Sequence, residues 1–288
     1  MKTAVMTDTN AGIDFALAEQ LGLFVIPMPI VIDGEIYYEN INISEKEFYD
    51  LQRTDASIST TLPAIGAVME MWNHILENYD ELIYIPMSSA LSSSYMSSKL
   101  LAEDEYGDRV VVCDNRRISL TLKDAVLQAR ELSLQGKSAV DIKNFLEAEA
   151  ANNVIYLAVD TLEYLKKGGR ITPTVAALSM LLNVKPILSI NCGKLDSFAK
   201  CRGIHKAQEK MIEAIRNDLA ERFKDYDHSE LSLQVAGTAL DEDAVEKWRT
   251  AVQTAFPEFI VDYANLPLSI GAHVGPNTFA VALSVIKI

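Results

Sequence analysis

Apolar residues in this chain come in short blocks separated by longer amphipathic stretches. Thr3–Met6, Leu82–Ile85, Val110–Cys113, Val154–Val159, Pro186–Ile190, Leu231–Ala236, Phe259–Tyr263 and Thr278–Ile286 read as strands. Unbroken apolar runs of that length, bounded by turn residues, suit strands buried on both faces. Between them the apolar spacing changes to three and four, as at Ile65, Met69, Trp72 and Leu76, which predicts a helix with that face buried. Further helices are predicted from Asp14, after the capping box Ser44-Glu45-Lys46-Glu47, and over Lys99–Glu103, Thr121–Gln135, Ser138–Ala151, His205–Phe223 and Asp241–Ala255. Two shorter ones are expected at Leu162–Arg170, with a glycine stop, and near Val175–Leu182. Leu23–Ile32 reads as one buried strand interrupted by Pro27 and Pro29, followed by an Asp33-Gly34 hairpin turn. Cys192-Gly193-Lys194 reads as a turn that makes Leu195–Cys201 a hairpin partner, and Ser269–Asn277 reads as a loop.

Alternating strands and helices predict an α/β fold of two α/β domains with mainly parallel sheets and a ligand cleft between them. A length of 288 residues fits two domains, taken as 1–155 and 156–288, with a C-terminal tail able to pack back across the cleft. Ligands of parallel sheets bind beyond the C-terminal strand ends. Thr7–Thr9, Ser88–Ser94 and Asp114 each follow directly on a strand and should gather at one edge, with Thr60-Thr61 reaching the same side.

Charge narrows the partners. The formal net charge is −14, which repels nucleic acid and anionic membrane surfaces. The three cysteines, Cys113, Cys192 and Cys201, form no paired framework, which suits a reducing cytoplasm, and they lack the clustering a zinc site needs. Met1-Lys2 leads straight into a strand, so no signal peptide is expected. The longest apolar run, Leu23–Ile32, carries two prolines and is too short to span a bilayer. No integral membrane segment, metal or cofactor is expected.

Candidate chemistry concentrates in LIYIPMSSALSSSYMSSKLL, residues 82–101, where seven of the eleven residues after Met87 are serine. A helix cap uses one or two hydroxyls. Hydroxyls and free N–H groups at a strand-to-helix junction make an anion site, because the first helical turn has unpaired donors at the positive end of its dipole. Dinucleotide, P-loop, nucleophile-elbow and zinc-protease motifs are absent from the sequence. His273 sits among glycines in Ile270-Gly271-Ala272-His273-Val274-Gly275-Pro276, whereas His74, His205 and His228 have charged surroundings. Lys166-Lys167-Gly168-Gly169-Arg170 reads as a basic helix end with a glycine stop. Lys200, Arg202 and His205 concentrate positive charge on an acidic chain.

Five of these motifs, in order, resemble the DegV family of bacterial fatty-acid-binding proteins, which includes the FakB subunits of fatty acid kinase. Thr7-Asp8-Thr9 resembles the family's T/V-D-S/T, Thr60-Thr61-Leu62-Pro63 its T-S-Q-P, and Ser88–Tyr95 its S-S-x-L-S-G-T-Y. Leu162–Ile171 is similar to L-x-Y-L-x-K-G-G-R-I, and His273-Val274-Gly275-Pro276 to H-x-G-P. Leu62 stands in place of Gln, Ser93 in place of Gly, and Asn277 in place of the glycine after H-V-G-P. The resemblance implies two α/β domains clasping one long-chain fatty acid. It further implies a carboxylate held by Thr61 and Ser92, with Thr60, Ser93, Ser94, His273 and Gly275 close by. Arg170, Lys200 and Arg202 would then lie near a face offered to a separate ATP-dependent kinase, the fatty acid kinase catalytic subunit. On this reading the chain is a cytoplasmic carrier with no catalysis of its own, serving phospholipid synthesis. The contrasting reading is a serine-type lipid esterase that uses a hydroxyl within Ser88–Ser94 with His273 as base.

Overall fold

The computed structural model describes residues 2–176 and 184–288. In chain order the first half comprises β1 (Thr3–Asp8), α1 (Phe15–Leu21), β2 (Phe24–Ile26), β3 (Ile30–Ile32), β4 (Glu35–Tyr37), α2 (Glu45–Gln52), β5 (Ile58–Thr60) and α3 (Ile65–Leu76). It continues with β6 (Glu81–Ile85), α4 (Ser94–Glu105), β7 (Val110–Val112), α5 (Ser119–Leu134) and α6 (Ala139–Ala148). Then come β8 (Asn153–Ala158), α7 (Glu163–Lys167), α8 (Pro173–Ala176), β9 (Val184–Asn191), β10 (Lys194–Arg202) and α9 (Ile204–Glu221). The chain ends with β11 (Leu231–Thr238), α10 (Glu242–Ala255), β12 (Asp262–Asn265), α11 (Leu268–Val274) and β13 (Thr278–Val285).

The first sheet is parallel throughout, in the order β2-β1-β6-β7. Side chains alternate across it, as strand geometry requires. Val5, Ile83 and Ile85 face α1, α5 and α6 through Ala18, Leu122, Val126 and Ile142. Ala4, Met6, Leu82 and Tyr84 face α3 and α4 through Val68, Trp72, Ile75 and Ala102. With helices on both faces every residue of β1 and β6 is buried, which is why both read as unbroken apolar runs. The helix-start signals work as expected: Asp14 accepts from Leu17 N at 2.7 Å, and Ser44 and Glu47 form a reciprocal capping box.

The second sheet runs β10-β9-β8-β13-β11-β12. Mainly parallel pairing holds for the first sheet but not for this one, where only β11–β12 is parallel among the described pairings. Parallel neighbours need a long crossover. The Cys192-Gly193 turn, with φ of 47° and 74°, instead closes β9 onto β10 as a tight hairpin. The final strand β13 enters antiparallel between β8 and β11. The mixed α/β class stands.

One face of this sheet is covered by α9 and α10 through Met211, Ile215, Trp248 and Val252. The other, carrying Ile155, Leu157, Ile190, Leu195 and Ala280, turns toward Ile118 and Leu120 at the start of α5. Asp124 of α5, buried between the sheets, accepts from Ser232, Gln234 and Ser284 of β11 and β13.

Three expectations change. Leu23–Ile32 is two strands, because Pro27 and Pro29 supply no N–H for a continuous ladder. β2 joins the parallel sheet, and β3 instead starts a small antiparallel sheet, β4-β3-β5. The buried face of α3 is Val68, Trp72 and Ile75; Ile65, in its exposed first turn, is 61% accessible. The segment read as a loop, Ser269–Asn277, contains helix α11, which packs Leu268 and Ala272 on Ile30, Phe48 and Tyr49. Its glycine costs a helix about 1 kcal/mol. That glycine, Gly271, removes a Cβ that would overlap the Tyr49 hydroxyl, and its carbonyl accepts from Gln52 Nε2 at 3.0 Å. The helix expected near Val175–Leu182 is described only as α8, and the rest of that span lies outside the described residues.

Gly271→Ala should therefore lower stability by about 1–3 kcal/mol through overpacking. Adding Tyr49→Phe, which removes the atom in the way, should recover part of the loss in urea denaturation. Equal losses in single and double variants would show that the close approach does not constrain α11.

Candidate ligand-binding site

The parallel sheet's C-terminal end, the small sheet, α11 and the inner face of the six-stranded sheet enclose a cavity of about 270 Å³. A single water needs about 10–15 Å³. Most of the wall is apolar: Met28, Leu62, Met87, Leu91 and Ile118 on one side, Ile155, Leu157, Ile190, Leu195 and Ala280 on the other, with Leu266, Ile270 and Val274 from the segment around α11. Alternation along β8 explains the choice of residues, since Ile155 and Leu157 face the cavity while Val154 and Tyr156 pack in the opposite core. A largely apolar wall of this size suits an occupant with a large apolar part.

Polar groups interrupt the wall in a limited set. Thr60, Thr61, Ser92, Ser93, Arg170 and His273 line it, as the sequence grouping anticipates for all but Arg170. Thr60 ends β5 and its Oγ1 lies 2.9 Å from His273 Nε2, on the last turn of α11. His273 Nδ1 rests against Gly168 without a hydrogen-bond partner among the described residues. The tautomer that leaves no buried N–H orphaned carries its proton on Nε2 and donates it to Thr60 Oγ1. The Thr60 hydroxyl hydrogen is then free to donate to another acceptor. Burial, and after it the Arg170 guanidinium, pull the His273 pKa from 6.5 down to about 4, so the ring is neutral near pH 7. Arg170 Nη1 also donates to the Gly168 carbonyl at 2.6 Å. Hydroxyl donors and one guanidinium at the side of an apolar space match a ligand with a long apolar body and an anionic oxygen group.

The remaining sequence candidates lie beside the wall. Ser94 is buried at the start of α4, its N–H donating to Ser92 Oγ at 3.2 Å, so it supports Ser92. Gly275 is outside the lining and underlies the Tyr164 ring. Lys200 and Arg202 are exposed on β10, an edge strand, away from the cavity. The strand-end groups do converge, but partly for structural reasons: Asp8 accepts from Met87 N at 3.0 Å, Thr7 donates to Ile85 O, and Asp114 accepts from Ser89. Sequence reasoning missed Asn10, Ser119 and Ser269. Ser269 donates to Asn10 Oδ1 at 2.7 Å, and Asn10 donates to Asp8. The spacing of Ser269 and His273, one helical turn apart, carries this signal only once α11 is known to be a helix.

Among the described residues no helix is long and apolar enough to cross a membrane. The solved structure of a fatty-acid-binding DegV family protein from Thermus thermophilus superposes with a TM-score of 0.88 at 28% identity, covering 99% of this chain and 100% of that one. DegV, a fatty acid binding protein from Bacillus subtilis, superposes with a TM-score of 0.84 at 27% identity, covering 99% of each chain. A DegV domain-containing protein of Clostridium acetobutylicum is 30% identical over 284 residues, 98% of each chain. The sequence pattern of the DegV family matches residues 2–285. The chain belongs to the DegV family.

Proposed function

We propose that this protein is a cytoplasmic carrier that binds one long-chain fatty acid and presents its carboxylate to a separate ATP-dependent kinase for acyl-phosphate formation. The observation that carries the reading is the largely apolar cavity of about 270 Å³ whose lining also includes the hydroxyls of Thr60, Thr61, Ser92 and Ser93, together with His273 and Arg170. A tail of about fourteen methylenes at about 0.8 kcal/mol each supplies roughly 11 kcal/mol before binding costs. A hydroxyl bond to the carboxylate adds about 1.5–3 kcal/mol. The tail dominates affinity, and Thr60, Thr61, Ser92 and Ser93 set the register. Hydroxyl ligation suits the onward reaction, because it leaves the carboxylate oxygens more nucleophilic than a bidentate arginine pair does. Exposed Lys200 and Arg202 offer an acidic kinase surface a contact on a chain of net charge −14.

An esterase reading finds less support. Gly168 occupies the place beside His273 Nδ1 where a serine-hydrolase carboxylate would stand, and a pKa of about 4 makes a poor general base.

Native mass spectrometry of freshly purified protein, with lipid analysis of an extract, tests the carrier. One fatty acid per chain is expected; no fatty acid in the extract and none bound after delipidation would contradict it. Thr61→Ala combined with Ser92→Ala should weaken fatty acid binding by a few kcal/mol at most, about 1.5–3 per lost bond, and leave fatty alcohol binding near wild type. Equal weakening for both ligands would locate the damage in the tail cavity.

The depressed His273 pKa sets an acid-side sign. Stability gained by keeping the ring neutral is complete above about 6.5 and is lost as pH falls toward about 4, because the unfolded chain takes up a proton that the folded chain refuses. In urea melts across that range, wild type should lose stability more steeply than His273→Gln. Parallel curves would show that His273 titrates normally.

A further inference from the structure

Two adjacent glycines end α7 for different reasons. Gly169 has φ of +68° and open space around its α-carbon, so backbone freedom explains it. Gly168 has φ −75° and ψ −4°, a conformation open to any residue. What Gly168 provides is room: a Cβ there would overlap His273 Nδ1 and lie 2.8 Å from Cε1. The same arrangement recurs in reverse at the end of α11. A Cβ on Gly275 would overlap Tyr164 Cδ2 and lie 2.5 Å from Cε2. Thus His273 of α11 seats on a glycine of α7, and Tyr164 of α7 seats on a glycine of α11. The Gly168 carbonyl is also the acceptor for Arg170, whose side chain returns to the cavity wall. Thr60, His273, Gly168 and Arg170 therefore form a continuous chain of contacts around the polar part of the cavity.

We propose that Gly168 is a positioning residue for head-group selection: its bare α-carbon seats the His273 imidazole so that Nε2 meets Thr60, and this seat couples occupancy of the cavity to the exposed Lys166–Gly169 turn. The inference rests on the carrier reading and extends it to how the loaded state becomes visible outside. His273 Nδ1 has no hydrogen bond among the described residues, so on that side steric contact alone fixes the ring. A carboxylate that draws on the Thr60 hydroxyl strengthens the Thr60–His273 bond, holds the ring in one position over Gly168, and so orders the turn that follows. Lys166, Lys167 and Gly169 are exposed in that turn and open to a partner.

The test measures binding of hexadecanoic acid and hexadecan-1-ol to delipidated wild type, Gly168→Ala, His273→Ala and the double variant. Gly168→Ala should reduce the preference for acid over alcohol by about tenfold, or about 1.4 kcal/mol, with alcohol affinity held within about twofold. The double variant should discriminate no less than His273→Ala alone, because the two changes disturb one contact. Wild-type preference in Gly168→Ala, or additive losses in the double variant, would overturn the proposal. A second measurement needs no variant: amide exchange in residues 164–170 of wild type should slow more with the acid than with the alcohol. An equal response to both ligands would overturn the coupling even if Gly168→Ala failed to fold. A wild type that binds neither ligand overturns the carrier reading, and the role of the seat with it. A wild type that prefers the acid while Gly168→Ala keeps that preference overturns the seat alone.

Discussion

An apolar void in a folded protein forfeits the dispersion contacts that close packing would give its walls, and water does not replace them. A chain that keeps such a space gives up stability that a filled core would provide, so the architecture around it is best understood as holding it open. Three features do this. The inner face of the six-stranded sheet supplies a broad wall with Ala280 set among Leu157, Ile190 and Leu195. The strand ends of the parallel sheet cannot collapse onto that wall, because Asp8 and Asp114 fasten the segments that follow β6. Helix α11 spans the remaining side, held to the small sheet and α2 through Leu268 and Ala272. An apolar guest restores the missing contacts, which makes ligand binding and completion of the core one event.

Polar groups have a different part. Their energies are small beside that of a buried tail, and the hydroxyls of Thr60, Thr61, Ser92 and Ser93 are neutral. On the carrier reading they make one end of an otherwise featureless apolar guest distinguishable from the other. His273 is kept neutral by burial and by Arg170, so on the carrier reading it works through Thr60 as a hydrogen-bond donor and not as a charge.

Much of the first half was legible in the sequence because its central strands are buried on both faces, so runs such as Leu82–Ile85 advertise themselves. The strands of the six-stranded sheet were largely legible, although β12 begins at Asp262 and not at Phe259, but their direction was not, since pairing sense depends on connections that cross long sequence distances. Helix α11 was hidden by Gly271, whose role appears only when Tyr49 is placed against it. The polar residues of the lining were readable as motifs, while the cavity was not: Ile155 and Leu157 differ in no local respect from Val154 and Tyr156, which pack against the opposite core. Arg170 lines the cavity, which its place after a helix end does not show, and Gly168 reads as a helix stop although its backbone needs no glycine. In each case a tertiary contact, absent from local sequence, decides the role.

The central claim is that burial of an acyl tail supplies the affinity while the polar groups set only its register. Calorimetric titration of delipidated protein with a series of saturated fatty acids of increasing length tests it most directly. Each added methylene should strengthen binding about fourfold, the equivalent of about 0.8 kcal/mol, until the cavity is full, and the heat-capacity change should grow more negative in step. Affinity that stays constant along the series, set by the carboxylate alone, would contradict the account.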